Sequence, residues 1–162
     1  MNNKNGKSEK TSPQRKHPAH HAFVEGHNKS IIVFLTICTH QRRKILAIES
    51  VHETLLDVWA LSRQWRVGRY VIMPDHIHLF CSPVSRESEN VAKWTTYWKR
   101  MASRKLPDLQ LLWQRDCWDT QLRRHESYSE KWDYVCNNPV RAGLVKQADQ
   151  WPFQGTLNHL SW

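Results

Sequence analysis

A chain of 162 residues has room for one domain with a single core and too little for two. With 40% hydrophobic residues and nine tryptophans it is a folding sequence, and no run approaches the ~18 consecutive apolar residues of a membrane span. The net charge of +9 excludes little by itself, but it suits a protein that meets a polyanion. Residues 1–30 hold six Lys/Arg against two Glu, giving +4, and the remaining 18 Lys/Arg against 13 Asp/Glu give +5. The positive excess is therefore shared between the start of the chain and its body. No secretory signal pattern is present, so a soluble, cytoplasmic protein is expected, with no membrane partner. Cys38, Cys81, Cys117 and Cys136 form no C-x-x-C pair, which argues for buried reduced thiols over a zinc knuckle or a disulfide framework.

Residues 1–28 are rich in Asn, Lys, Ser, Pro and His without apolar periodicity, and read as a disordered basic arm. One domain is expected over 29–155, with a tail over 156–162. Ile31 to Thr39 is dense in β-branched residues and predicts a buried strand, broken by the basic loop Gln41-Arg42-Arg43-Lys44. Ser50 and Glu53 form a capping-box pattern, and Val51, Leu55, Val58, Trp59 and Trp65 recur at helical spacing, so 51–65 is predicted helical. Arg69 to Met73 and His76 to Cys81 predict a strand or hairpin interrupted at Pro74-Asp75.

A second helix is predicted from Ser88 to about Lys105. Val91, Trp94, Trp98 and Met101 line one face, and Lys93, Tyr97, Arg100 and Arg104 line another. Trp94 and Trp98 read as core. Leu111 to Trp113 and Cys117 to Leu122 predict a further strand or strand pair. Ser127 with Glu130 is a second capping-box pattern, starting a third helix that Pro139 must end. The order of elements predicts an α+β fold: a ferredoxin-like, RRM-like antiparallel sheet with helices packed on one face.

The chemistry concentrates in His76-Ile77-His78. On a strand both imidazoles leave the same face, roughly 7 Å apart at Cα, while Ile77 turns to the core. Tyr134 and Asn138 are four apart, one turn from each other on a helical face. His76, His78 and Asn138 could supply three ligands to Mg²⁺ or Mn²⁺, with Tyr134 beside a metal-bound phosphate as nucleophile. The residues alone leave plainer alternatives open: an incidental histidine pair, a packing tyrosine, and an asparagine that stops a helix before proline.

Three blocks narrow this. Met73-Pro74-Asp75-His76-Ile77-His78-Leu79, then Trp113-Gln114-Arg115 with Trp118, then Asp133 to Val145 with its Asn137-Asn138-Pro139-Val140-Arg141-Ala142-Gly143 core, resemble the REP-associated tyrosine transposases. These are single-tyrosine HUH transposases, HUH standing for His, a hydrophobic residue, His. The resemblance spans about residues 31–153, and Thr39 to Arg43 and Trp151-Pro152-Phe153 also fall at similar segments.

The resemblance implies the HUH endonuclease fold. His76, His78 and Asn138 would hold Mg²⁺ or Mn²⁺, and Tyr134 would be the catalytic nucleophile. It implies nicking and rejoining of single-stranded DNA beside a hairpin, through a 5′-phosphotyrosine intermediate, by a monomer or homodimer. Asp75 would orient one imidazole, or merely follow Pro74 in a turn. Asn137 is a substitute ligand, and Tyr128 and Tyr97 are the competing tyrosines. DNA contacts are expected from Arg42, Arg43, Lys44, Lys93, Tyr97, Arg100, Arg104, Arg123, Arg124 and Arg141. The alternatives are a retired nucleic-acid-binding domain, a replication-initiator or relaxase nickase, and a phosphodiesterase that uses water in place of Tyr134.

Overall fold

The computed structural model describes residues 31–122 and 128–161. The basic arm, Arg123, Arg124 and Ser127 of the second capping-box pattern lie outside the described residues. The chain runs β1 (Val33–Cys38), α1 (Glu49–Ala60), β2 (Trp65–Ile72), β3 (His76–Pro83), α2 (Val91–Lys105), β4 (Trp118–Gln121), α3 (Tyr128–Cys136), α4 (Asn138–Arg141) and β5 (Gln154–Thr156). All pairings are antiparallel, in the order β4-β1-β3-β2-β5, so the expected antiparallel α+β sheet is present.

The helices are not all on one face. Strand residues alternate sides, and Leu35, Ile37, Ile77, Leu79 and Val67 turn to a core shared with Val51, Leu55 and Trp59 of α1 and Trp94 and Trp98 of α2. Ile32, Val71 and Phe80 turn the other way and pack with Val135, Trp132 and Tyr128 of α3. A helix therefore covers part of each face. The reason is that Ile32, Phe34, Val71 and Phe80 are apolar on the second side, so part of that side must leave water as well.

Two element boundaries also differ from the sequence reading. Helix α1 ends at Ala60, and Trp65 opens β2 instead of closing the helix; its indole stacks on Trp94 at 5.8 Å and donates to the Glu89 carbonyl at 2.7 Å. The Ser50/Glu53 capping box does not form. Ile48 precedes the helix in extended conformation with no side-chain cap, and Ser50 lies inside the first turn. Helix α2 is capped by Asn90, whose side chain accepts from the Ala92 N–H at 2.7 Å.

Two departures from regular geometry position the site. Strand β2 has a register shift between Val67 and Tyr70, and a Cβ on Gly68 would lie 2.6 Å from Leu160 and 3.1 Å from the Tyr128 hydroxyl. Only glycine lets α3 and the end of the described chain approach there. Past β1, Gln41 and Arg42 both hold positive φ, 53° and 56°. Consecutive left-handed non-glycine residues cost on the order of 1–2 kcal/mol each and require compensating contacts.

Candidate active site

His76 and His78 begin β3, across from Cys38 and Thr36 of β1. Their side chains leave the sheet on the α3 side, where Phe34 stacks on His78 at 5.4 Å. The two Nε2 atoms face each other at 3.1 Å. Each ring is held by its other nitrogen: His76 Nδ1 donates to Asp75 Oδ1 at 2.6 Å, and Thr36 Oγ1 lies 2.9 Å from His78 Nδ1. Asp75 thus fixes the His76 proton on Nδ1 and leaves Nε2 as a bare lone pair. Where Thr36 accepts from His78, two lone pairs confront each other and favour a cation beside them; where Thr36 donates, His78 Nε2–H donates to His76 Nε2 instead.

A proton is a poor candidate. Burial lowers the pKa of His76 against the opposing hydrogen bond and charge of Asp75. Burial also pulls His78 down to about 3, helped by the positive charges of His76, Arg42, Lys131 and Arg141. Both rings are neutral near pH 7 and available as ligands. Two donors about 2.1 Å from an octahedral cation stand about 3.0 Å apart, so the observed spacing fits a Mg²⁺ or Mn²⁺ ligand edge. Among the described residues no group of three or more His, Cys, Asp or Glu is arranged to hold a metal ion, because Asp75 meets His76 at Nδ1, away from the facing Nε2 atoms.

Asp75, hydrogen-bonded to His76, is tied in turn. Arg42 Nε lies 2.8 Å from Asp75 Oδ2, and Arg42 Nη1 donates to Cys38 Sγ at 2.7 Å. Burial raises the Asp75 pKa, but the His76 hydrogen bond and the charges of His76 and Arg42 outweigh it and hold the carboxyl below its ordinary range. Arg42, expected on DNA, is thus committed to supporting His76. Arg43 and Lys44 are exposed in the same loop.

Helix α3 carries Tyr134 on the histidine side of the sheet. Of the four tyrosines, Tyr70 is buried against His52 under the other face, and Tyr97 is exposed on α2 beyond that face. Tyr128 is anchored edge-on to Phe80 at 4.9 Å under the Arg69 guanidinium. Tyr134, 63% exposed, is the accessible phenol on the histidine side. Its helix stops at Cys136, three residues before Pro139, and Asn138 begins the separate short helix α4 with Pro139 in its first turn. Tyr134 and Asn138 therefore do not share one helix.

Arg141 joins them instead. Its guanidinium stacks 4.0 Å over the Tyr134 ring and donates to the Tyr134 carbonyl at 2.9 Å and to Asn138 Oδ1. Asn137 donates its amide to the Asp133 carbonyl at 2.8 Å.

Lys93, Tyr97, Arg100 and Arg104 form the exposed stripe expected of α2, but on the side of the sheet away from the histidines. Three contributors escaped the sequence reading. Thr36 and Phe34 were hidden in an apolar run, and Lys131 places its ammonium 5.2 Å over Phe34, close enough to bias His78. The only sequence signal for Thr36 and Phe34 is the strand register, which requires knowing that β1 pairs with β3, and Lys131 depends on where α3 packs.

The antiparallel sheet with a His-x-His pair on one face and the tyrosine-bearing α3 beside it has a counterpart among solved structures. A solved REP-associated tyrosine transposase, bound in that structure to a REP hairpin, superposes with a TM-score of 0.64 at 22% identity, over 82% of this chain and 80% of the other. In sequence the chain is 28% identical over 91 residues to the REP-associated tyrosine transposase of Escherichia coli (strain K12), covering 56% of this chain and 54% of the relative. It is 30% identical over 95 residues to a Haemophilus influenzae protein provisionally given the same name, covering 51% and 53%. The chain spans about half the length of the curated relatives it matches. No family model matches it. Among the described residues no helix is long and apolar enough to cross a membrane.

Proposed function

We propose that this chain is a REP-associated tyrosine transposase, cutting and rejoining single-stranded DNA next to a hairpin with Tyr134 as nucleophile. One observation carries the reading. Two neutral imidazoles face each other through Nε2 atoms 3.1 Å apart, within the charge of Arg42, Lys131 and Arg141, on the sheet face whose accessible phenol is Tyr134. Such a surface favours a phosphodiester with a divalent cation.

His76 and His78, with Asn138 as third ligand once Arg141 releases its amide oxygen, would hold Mg²⁺ or Mn²⁺. When bound, that ion supplies charge neutralisation at the scissile phosphate. Asp75 and Thr36 keep the imidazole lone pairs aimed at it. Arg141 holds the Tyr134 ring by its face, and Lys131 presents its ammonium to the phosphate. The Tyr134 oxygen forms a bond to phosphorus as the bond to the 3′ oxygen breaks. The phenol loses its proton to solvent, and the departing 3′ oxygen takes one up. The product is a 5′-phosphotyrosine and a free 3′-hydroxyl; attack by another 3′-hydroxyl reverses the step and joins a new strand. The α2 stripe, away from this centre, offers sequence-independent contacts to more distant phosphates. The reading places the protein in the cytoplasm, as a monomer or homodimer.

The decisive experiment incubates the protein with Mg²⁺ or Mn²⁺ and a 3′-labelled single strand bearing a REP-type hairpin. A covalent protein–DNA adduct is expected that EDTA and Tyr134→Phe both abolish. Cleavage persisting in Tyr134→Phe would assign a water-using phosphodiesterase. Binding without any adduct would assign a noncatalytic DNA-binding domain.

A further inference from the structure

Of the eight tryptophans among the described residues, seven pack against another aromatic ring. Trp118 does not. It has no ring or cation partner among the described residues and remains 47% exposed. Nothing in the core accounts for it, and a solvated edge-strand position is ordinarily filled by a smaller or more polar side chain.

Its register gives it a place in the site. Trp118 pairs with Thr36 on one side of β1, and Thr36 pairs with His78 on the other. Directly opposed residues in antiparallel strands share a face, so indole, hydroxyl and imidazole form one row across the histidine face. Leu122, further along the same chain segment, joins the apolar cluster of that face, consistent with this alternation. Trp118 and His78 stand two strand spacings apart, about 9.5 Å. Opposite the row, α3 brings the Lys131 ammonium over Phe34.

We infer that Trp118 is a stacking platform for an unpaired base of the strand whose phosphate lies at the histidine pair, an inference that rests on the function proposed above. A strand that places a phosphate among Arg42, Lys131 and Arg141 has its neighbouring nucleotides crossing this face, and toward β4 the exposed π-surface they meet is Trp118. Thr36 and the exposed Thr120 flank the indole on the same face, so the patch is one flat ring in polar surroundings. That suits a nucleobase, with its π-face and polar rim, better than the apolar side chains of a protein partner. Stacking tolerates any base, so Trp118 adds affinity and positioning with little sequence preference.

The test pairs a protein change with a DNA change. Trp118→Ala and Trp118→Phe are compared with the wild type for binding to a fluorescein-labelled single strand carrying a REP-type hairpin. An abasic site is walked through the unpaired positions flanking the mapped adduct site. Trp118→Ala is expected to weaken binding about tenfold and Trp118→Phe much less. At one position the abasic site should weaken the wild type by a similar factor and leave Trp118→Ala almost unaffected. Equal affinities for Trp118→Ala and wild type, or abasic losses identical in both proteins at every position, would overturn the inference. If the wild type forms its Tyr134 adduct while those results hold, only the platform fails; if it neither binds the strand nor forms an adduct, the proposed function fails with it.

Discussion

Along β3, Ile77, Leu79 and Cys81 are fully buried beneath α1 and α2, whereas His76 and His78, one residue away in each case, turn to the opposite side and keep part of their surface. The first side is a dry, tryptophan-rich core. The second begins as core at Phe80 and gives way, within two residues, to paired imidazoles, a carboxylate and several cations. One strand thus anchors the fold with one set of side chains and presents the imidazole pair with the other. The rigidity comes from the packed side: an imidazole beside a residue of zero exposure has little freedom to drift.

The sharpest way to separate the two sides is to truncate each in turn. His76→Ala or His78→Ala should reduce adduct formation by about a hundredfold or more while the far-UV circular dichroism stays native. Loss of the folded signal would mean that the histidines hold the sheet together. Ile77→Ala should do the reverse, lowering unfolding free energy by about 2–5 kcal/mol in a denaturant titration. Adduct yield should survive at temperatures where that variant remains folded. Asp75→Ala removes a support of the site and should weaken Mn²⁺ affinity roughly 10–100-fold, measured by calorimetry with a competing chelator.

The histidine side should also reveal itself in pH. His78 is held at about 3 in the folded protein against 6.5 for an ordinary imidazole, so the unfolded chain binds more protons between those values. Stability is complete above about pH 6.5 and falls as the pH drops toward 3. In EDTA, His78→Gln should flatten that slope in melting experiments, and an unchanged slope would locate the titrating group elsewhere. The smallest effect is expected from the far side. Replacing Lys93, Arg100 and Arg104 together by alanine should cost a few-fold in DNA affinity and make binding less salt-dependent, while the single-turnover rate of adduct formation holds.

Most of the framework was legible in the sequence because β-branched density and helical spacing are local signals: β1, the β2–β3 hairpin and α2 lie close to where they are expected. Helix α1 was overextended because Trp65 happens to continue the apolar period of Val58 and Trp59, although its ring belongs to a strand. The placement of α3 was not legible. The continuous apolar run through β1 does not say which residues need a second cover. Within the site, His76, His78 and Tyr134 stood out by type and spacing. Their neighbours Thr36, Phe34 and Lys131 are ordinary residues whose contacts exist only across paired strands or between α3 and the sheet. Arg42 and Arg141 are expected on DNA, and a sequence does not show that a carboxylate, or a tyrosine ring with an amide oxygen, also lies within their reach.

The turn at Gln41 and Arg42 carries a design constraint. A single guanidinium clamps a sulfur and a carboxylate at once, holding a sterically awkward bend closed while steadying the imidazole beyond it. Lysine keeps the charge but lacks the fork needed for both grips. Loop shape and ring orientation are therefore governed by the same fastener, and neither can drift through mutation without dragging the other along.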